Sequence, residues 1–265
     1  MADEGVVKVE RLGNVMLVTI NRPEARNACN QAVWLSGGEA LVEAEKDVSV
    51  RAIVVTGAGD QSFCAGADLK AIARGERIVP EDPVKAAWGF AGIVRHNVSK
   101  PIIAAVNGPA LGGGTELALS CDLIVASETA IFGLPEVKRG LLAGAGGAFR
   151  IVQQLPRKIG MELLLTGDPI TAARALELGL VNQVVPQAEV IAAALAFAER
   201  ITTNAPLSVQ ASKRIALGIV DGKIAAEDSF WSQTSAESAI VSKSEDAREG
   251  PRAFAEKRAP NWQGR

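Results

Sequence analysis

The chain has 265 residues, 48% of them apolar and 22% charged, with a net charge of −2. That is enough chain for one large domain, or one domain with an appendage, around a sizeable core. With no basic excess, 4% aromatics and no Tyr, neither a polyanion-binding face nor a base-stacking platform is expected, which excludes nucleic acid as a partner.

The opening stretch "MADEGVVKVE" is acidic and lacks an apolar signal core. No run of about 18 apolar residues occurs, so the expectation is a soluble, cytoplasmic protein without membrane contact. "NVMLVTINRP" reads as a strand entering a loop, punctuated by Asn21 and Pro23. Residues 30–46 have the spacing of a helix despite Gly37 and Gly38. "RAIVVTGAGD" reads as a buried strand with a Gly-rich turn, and "QSFCAGADLKAIA" as a tight loop entering a helix. Residues 74–84, with Gly75, Pro80 and Pro83 among charges, read as a mobile loop.

A helix is expected over 85–98, then a strand in "KPIIAAVNG", a glycine loop, a helix to about Ser120, and a strand in "DLIVAS". "FGLPEVKRGLLAGAGGAFR" reads as a loop with two glycine clusters. In "ITAARALELGL", Thr171 is a natural N-cap and Gly179 a natural stop. After a short strand in "VNQVVP", only helix is expected, over 188–203, 207–218 and about 223–248. Strands alternating with helices, then helices alone, make an α/β body with a helical tail.

Several chemistries drop out. Cys29, Cys64 and Cys121 are odd in number and widely spaced, so neither a disulfide framework nor a metal site is expected. The one histidine, His96, sits in an apparently helical stretch and reads as structural or surface. A Ser-His-Asp hydrolase would need it as base. "TGAGDQS" lacks the third glycine of a dinucleotide fingerprint, and no glycine loop ends in Gly-Lys-Ser or Gly-Lys-Thr.

Two loops share a design. In "SFCAGADL" and "NGPALGGGTEL" a turn of small residues leads into a helix. Each is either a tight corner, or a source of helix-start N–H groups that would hold an oxygen gaining negative charge. Glu116, placed just after three glycines, is by itself either a first-turn acid suited to the helix dipole or a buried functional carboxylate. Glu136, after Pro135, carries the same two readings.

At these residues the sequence resembles the enoyl-CoA hydratase/isomerase (crotonase) superfamily. The stretches that carry the resemblance are "NRPEARNA", "FCAGADL", "KPIIAAVNGPALGGGTELALSCD", "FGLPEVKRGLLAGAGG", "LLLTGDPITAARALELGLVNQVV" and "SEDAREGPRAFAEKR". They keep the family's order and span nearly the whole chain. The resemblance implies a spiral of repeated ββα units over 1–199, with a C-terminal helical oligomerisation region over 200–265. It also implies a homo-oligomer, a trimer or dimer of trimers, acting on acyl-coenzyme A thioesters. Coenzyme A is then part of the substrate and no separate cofactor is implied.

The resemblance further implies roles. The N–H groups of Ala67 and Gly113 would hold the thioester oxygen as it becomes an enolate. Glu116 and Glu136 match the family's two catalytic glutamates, which in hydratases handle a water between them. Backbone around Ala25, Ala65, Asp68 and Leu69 would line the coenzyme A groove, with Asp68 also suited to cap the following helix. Phe254 and Lys257 match a C-terminal segment that often reaches coenzyme A. One departure stands out. Where familiar hydratases carry Gly-Thr-Ile-Pro-Gly-Ala-Gly-Gly-Thr-Gln-Arg, Ala143 replaces the proline and Ala148-Phe149 replace Thr-Gln. The segment would border the acyl pocket, so acyl preference is expected to differ. The implied reaction is hydration of trans-2-enoyl-CoA. An enoyl-CoA isomerase, a specialised acyl-CoA dehydratase and a non-catalytic acyl-CoA-binding relict are the alternatives.

Overall fold

The computed structural model describes residues 5–265. Its strands and helices follow the chain as β1 (Val7–Leu12), β2 (Val15–Ile20), α1 (Gln31–Lys46), β3 (Ala52–Gly57), α2 (Leu69–Ala73), α3 (Pro83–Ala86), β4 (Ile102–Val106), β5 (Ala110–Leu111), α4 (Gly113–Ser120), β6 (Leu123–Ser127) and β7 (Ile131–Gly133). There follow α5 (Gly147–Gln154), α6 (Arg157–Thr166), β8 (Ile170–Thr171), α7 (Ala172–Glu177), β9 (Gln183–Val185), α8 (Val190–Thr202), α9 (Pro206–Leu217), β10 (Ile219–Val220), β11 (Lys223–Ile224), α10 (Asp228–Val241) and α11 (Asp246–Ala255).

The main sheet has the order β1-β2-β3-β4-β6-β9, antiparallel at the β1 edge and parallel elsewhere. Side chains alternate between its faces, as the two-residue strand period requires. Met16, Val18, Ile53, Val55, Ile102 and Ala104 join one core, and Val15, Leu17, Ala52, Val54, Ile103 and Ala105 the other. Both faces are covered, which explains the near-continuous apolar runs of the parallel strands. On the second face lies α8, through Val190, Ala194 and Ala198, four residues apart. Alanine at two of these positions lets the helix lie close to the sheet.

A smaller layer sits over the first face. β5, β7 and β8 form a three-stranded sheet, and single bridges extend its line from Cys64 to Ala110 and from Cys29 to Ala67. The chain therefore repeats one path: a strand of the main sheet, a short extended piece in the second layer, then a helix. β2, Cys29 and α1 make one turn; β3, Cys64 and α2 the next; β4, β5 and α4 a third. This is the α/β spiral that the resemblance implies.

Three expectations need correction, and one strand has no clear sequence signal. β1 went unread, since its alternation is blurred by the charges of "VKVERL", which face solvent on an edge strand. The helix expected over 85–98 is only α3 and a 3-10 turn at Phe90–Gly92. Gly89 and Gly92 take positive φ and Ala91 sits at φ 56°, conformations that stop an α-helix. The tail is not purely helical: β10 and β11 pair around Asp221-Gly222, both at positive φ. The helix expected over 223–248 therefore begins as a strand and becomes α10. Elsewhere the expected Thr171 cap is in place, accepting from the Arg174 N–H, and Asn30 caps α1 by accepting from the Val33 N–H. Among the described residues no helix is long and apolar enough to cross a membrane.

The two layers meet closely at α4. A Cβ on Gly114 would lie 1.9 Å from the Cys64 carbonyl oxygen. Gly114→Ala is expected to destabilise the protein by about 1–3 kcal/mol through overpacking, read as a lower urea midpoint. An unchanged midpoint would show that α4 does not depend on this close approach.

Candidate active site

The site grows from α4. Gly112, at φ 55°, turns the chain into the helix, and its carbonyl accepts the Glu116 N–H at 3.0 Å. Because the peptide is planar and trans, the Gly113 N–H points the opposite way, out of the helix start. The Gly66 carbonyl likewise accepts the Cys29 N–H at 2.8 Å, so the Ala67 N–H is turned away from Cys29. The two peptides are neighbours: a Cβ on Gly66 would lie 3.2 Å from the Gly113 nitrogen. Among the described residues neither N–H donates to a protein acceptor. One detail differs from expectation. Ala67 is not part of a helix start but of a β-bridge, one residue before the N-cap Asp68.

Glu116 falls on the buried face of α4, 3% exposed. Its Oε1 accepts from the Ala145 N–H at 2.7 Å and the Gly147 N–H at 2.8 Å. Glu136 sits in the 3-10 turn Pro135–Arg139 that follows β7. Its Oε1 lies over Gly112, where a Cβ would be 2.9 Å away, so the carboxylate borders the Gly112–Gly113 peptide. Its Oε2 is buried and has no protein partner among the described residues. The structure thus brings Ala67, Gly113, Glu116 and Glu136 to one place.

Burial raises both carboxyls. Glu116 is pushed up to about 8, first by burial and then by Glu136, against the Gly147 and Ala145 N–H groups and Arg150. Burial pushes Glu136 up to about 7. Repulsion between two carboxylates is mutual, so the two titration steps belong to the pair. Near neutral pH the pair holds a proton, and one site contains both an acid and a base.

The other expected residues are accounted for as follows. Asp68 accepts the Ala71 N–H with Oδ1, at 3.0 Å, and pairs through Oδ2 with Arg22 at 2.9 Å. Burial alone would raise its pKa, but the Ala71 N–H and Arg22 outweigh this and hold it below the usual carboxylate range. Ala65 donates to the Arg26 carbonyl beside Ala25, and Leu69 is exposed at the start of α2. Phe254 and Lys257 lie elsewhere, lining a cleft with Lys138, Arg139 and Arg258, with the Arg139 guanidinium 4.0 Å from the Phe254 ring centre. This cleft is on the turn that carries Glu136, because α11 packs on Pro135–Arg139. His96 stacks on Trp88, ring centres 5.2 Å apart, and its Nδ1 meets the Gly92 carbonyl. Among the described residues no cluster of three or more His, Cys, Asp or Glu could hold a metal ion.

The sequence reading missed the backbone clamp on Glu116. The glycine cluster in "AGAGGAF" was its signal, but which carboxylate those amides would meet required the fold. Phe149 stacks on Phe230 and meets Trp231 edge-on, both on α10.

The raised carboxyls predict how stability varies with pH. Both bind a proton more tightly folded than unfolded. Their contribution is complete below the unfolded value near 4.5 and is lost as pH rises through about 7 and 8. Glu116→Gln, which cannot ionise, is expected to match wild type at pH 5 and to be more stable by about 1 kcal/mol or more at pH 9. Denaturant unfolding at the two pH values decides it; a gap that does not change with pH would refute the raised proton affinity.

The geometry can be set beside known proteins. A family model described as enoyl-CoA hydratase/isomerase matches residues 10–265. Enoyl-CoA hydratase EchA19 of Mycobacterium tuberculosis is 42% identical over 262 residues, covering 97% of this chain and 96% of that protein. Carnitinyl-CoA dehydratase of Proteus mirabilis is 41% identical over 257 residues, covering 96% of each. The crystal structure of carnitinyl-CoA hydratase from Mycobacterium avium superposes with a TM-score of 0.96 at 62% identity, covering 98% of this chain and 99% of that one. The chain belongs to the enoyl-CoA hydratase/isomerase family.

Proposed function

We propose that this protein is an enoyl-CoA hydratase that reversibly adds water to trans-2-enoyl-CoA thioesters. The observation that carries the reading is the pair of buried Glu116 and half-buried Glu136, whose Oε2 is covered, beside two N–H groups, Ala67 and Gly113, that no protein acceptor among the described residues uses. Family membership and the relatives' names support acyl-CoA hydration or dehydration as the reaction class.

In this reading the thioester oxygen accepts the Ala67 and Gly113 N–H groups. Water lies between the carboxyls. One carboxylate takes a proton from it as the water oxygen bonds to C3. The C2–C3 π electrons move to C2 and the carbonyl oxygen, giving an enolate that the two N–H groups stabilise. The other carboxyl gives its proton to C2, and the thioester reforms. The pair ends with one proton, on the opposite partner, and exchange with solvent restores the start. Run backwards, the same steps dehydrate a 3-hydroxyacyl-CoA. Two acids favour this over isomerisation, which moves one proton and needs no water.

Crotonyl-CoA and carnitinyl-CoA are the substrates to test, the first followed by loss of its enoyl-thioester absorbance. Glu116→Gln and Glu136→Gln are each expected to lower kcat by about 10²–10⁴-fold while acyl-CoA binding persists. His96→Ala is expected to stay within a few fold of wild type. Consumption of a 3-enoyl-CoA without any hydration of a 2-enoyl-CoA would sink the assignment, as would near wild-type turnover by both glutamine variants.

The region over 200–265 is proposed to associate with further copies of the chain. Leu207, Ile215, Val220, Ile240 and Phe254 are each more than half exposed there, a density of apolar surface suited to an interface. Leu207→Glu with Ile240→Glu is expected to reduce the mass measured by light scattering. A monomeric wild type would end this part of the proposal.

A further inference from the structure

The tail makes a second connection, to the loop that holds Glu116. α9 has no buried residue, and α10 buries one, Trp231. That ring is aimed at Gly146, the residue between the two donors to Glu116. A Cβ on Gly146 would lie 2.9 Å from Trp231 Cη2, and Gly146 holds φ 98°. The loop therefore presses its bare Cα against the indole while the flanking N–H groups point to the carboxylate.

Polar contacts fix the indole. Its Nε1 donates to Glu227 Oε2 at 3.0 Å. Glu227 is gripped by Arg150, with Nε to Oε1 at 2.9 Å and Nη2 to Oε2 at 2.7 Å. This two-pronged pair is mostly buried, at 6% and 15% side-chain exposure. Arg150 also donates through Nη1 to the Val94 carbonyl at 3.0 Å. The Arg95 guanidinium lies 4.4 Å from the Trp231 ring centre, on a ring that also meets Phe149 edge-on. An exposed tail helix with one anchored side chain thus ends at the backbone that positions a buried acid.

We propose that Trp231 and Glu227 are positioning residues for Glu116: the indole holds the 145–147 backbone in place, and Glu227 offsets the charge of Arg150, which acts on the same carboxyl. The proposal takes Glu116 to be one of the two acids of the function proposed above. Its consequences differ for the two residues. Loosening the loop withdraws two N–H donors from the Glu116 carboxylate, which disfavours the charged form. Removing the Glu227 charge leaves Arg150 unpaired, which favours it. The charged groups that act on Glu116 are Glu136 and Arg150. Ala110–Leu111 and Phe90–Gly92, also packed against α4, bring no charge.

The experiment titrates full-length protein carrying carboxyl-labelled glutamate, followed by carbon NMR, with Glu116→Gln and Glu136→Gln identifying the two signals. Trp231→Ala is expected to move the upper step of the pair to higher pH and Glu227→Gln to lower pH. Trp231→Phe, which keeps an apolar ring, is expected to fall between wild type and Trp231→Ala. Loss of packing alone would move none of these in opposite directions. Given turnover of crotonyl-CoA, Trp231→Ala is also expected to lower kcat by on the order of 10²-fold with KM nearly unchanged, since small misplacements of a catalytic group cost that much. Circular dichroism checks folding, and if Trp231→Ala does not fold, Trp231→Phe and Glu227→Gln decide. An upper step that stays in place in the folded variants, or shifts the same way in both, overturns the proposal. A wild type that titrates as expected yet turns over no acyl-CoA sinks the proposed function and leaves this inference standing.

Discussion

Two carboxyl groups side by side, Glu116 buried and Glu136 half-buried, repel as soon as both are charged, and burial strengthens that repulsion. Water, the usual remedy, is largely excluded: Glu116 is 3% exposed, and one oxygen of Glu136 is fully covered. What replaces it is the chain's own backbone. Two N–H groups, from Ala145 and Gly147, converge on a single oxygen of Glu116. Such donors favour the anion, while burial favours the neutral acid. Burial prevails and the donors only moderate it, so the pair keeps a proton near neutral pH, a condition suited to moving protons in both directions.

The spiral makes this possible because it commits each carbonyl and leaves particular N–H groups uncommitted. The Gly66 carbonyl is used by Cys29 in the second layer, and the Gly112 carbonyl by the first turn of α4. Once those bonds form, planarity of the peptide turns the Ala67 and Gly113 N–H groups outward. Their orientation is thus a by-product of the bonds that build the layer and the helix. It needs no side chain of its own, which is why small residues suffice there. A larger residue at Gly112 would also collide with Glu136, so the glycine serves both the turn and the acid.

Much of this was legible in the sequence, for identifiable reasons. The buried strands announce themselves because both faces of a parallel sheet are apolar, and α1 and α8 by spacing and length. The Thr171 cap followed from local chemistry alone. The two glutamates and the two N–H donors were found by family resemblance, since a lone Glu in a first turn is equally well a dipole partner. What stayed hidden depends on contacts between distant segments. The helix expected over 85–98 fails because Gly89, Ala91 and Gly92 take left-handed conformations, and the tight fit against α1 that accompanies them brings Ala91 over Gly37. The pairing of "GAGGAF" with Glu116 spans about thirty residues of sequence and has no periodic signature. β1 was lost because an edge strand carries charges on its open face.

The C-terminal helices illustrate the same distinction from the other side. Their composition reads as surface: α9 buries nothing, α10 a single residue and α11 only Gly250 and Ala253. A region so weakly anchored contributes little to the core, and by burial alone it would count as an appendage. Besides the Lys213 ion pair with Asp122, its contacts include the two segments that carry the acids' supports. Trp231 meets Gly146 in the loop that holds Glu116, and Gly250 packs on the Arg139 backbone in the turn that carries Glu136. Each anchor matters to where its target segment sits, because one target is a glycine-rich loop at the start of α5 and the other a single 3-10 turn, neither backed by a longer element. The tail is therefore placed to set the geometry of both carboxyls from behind, whatever further surface it offers to other copies of the chain.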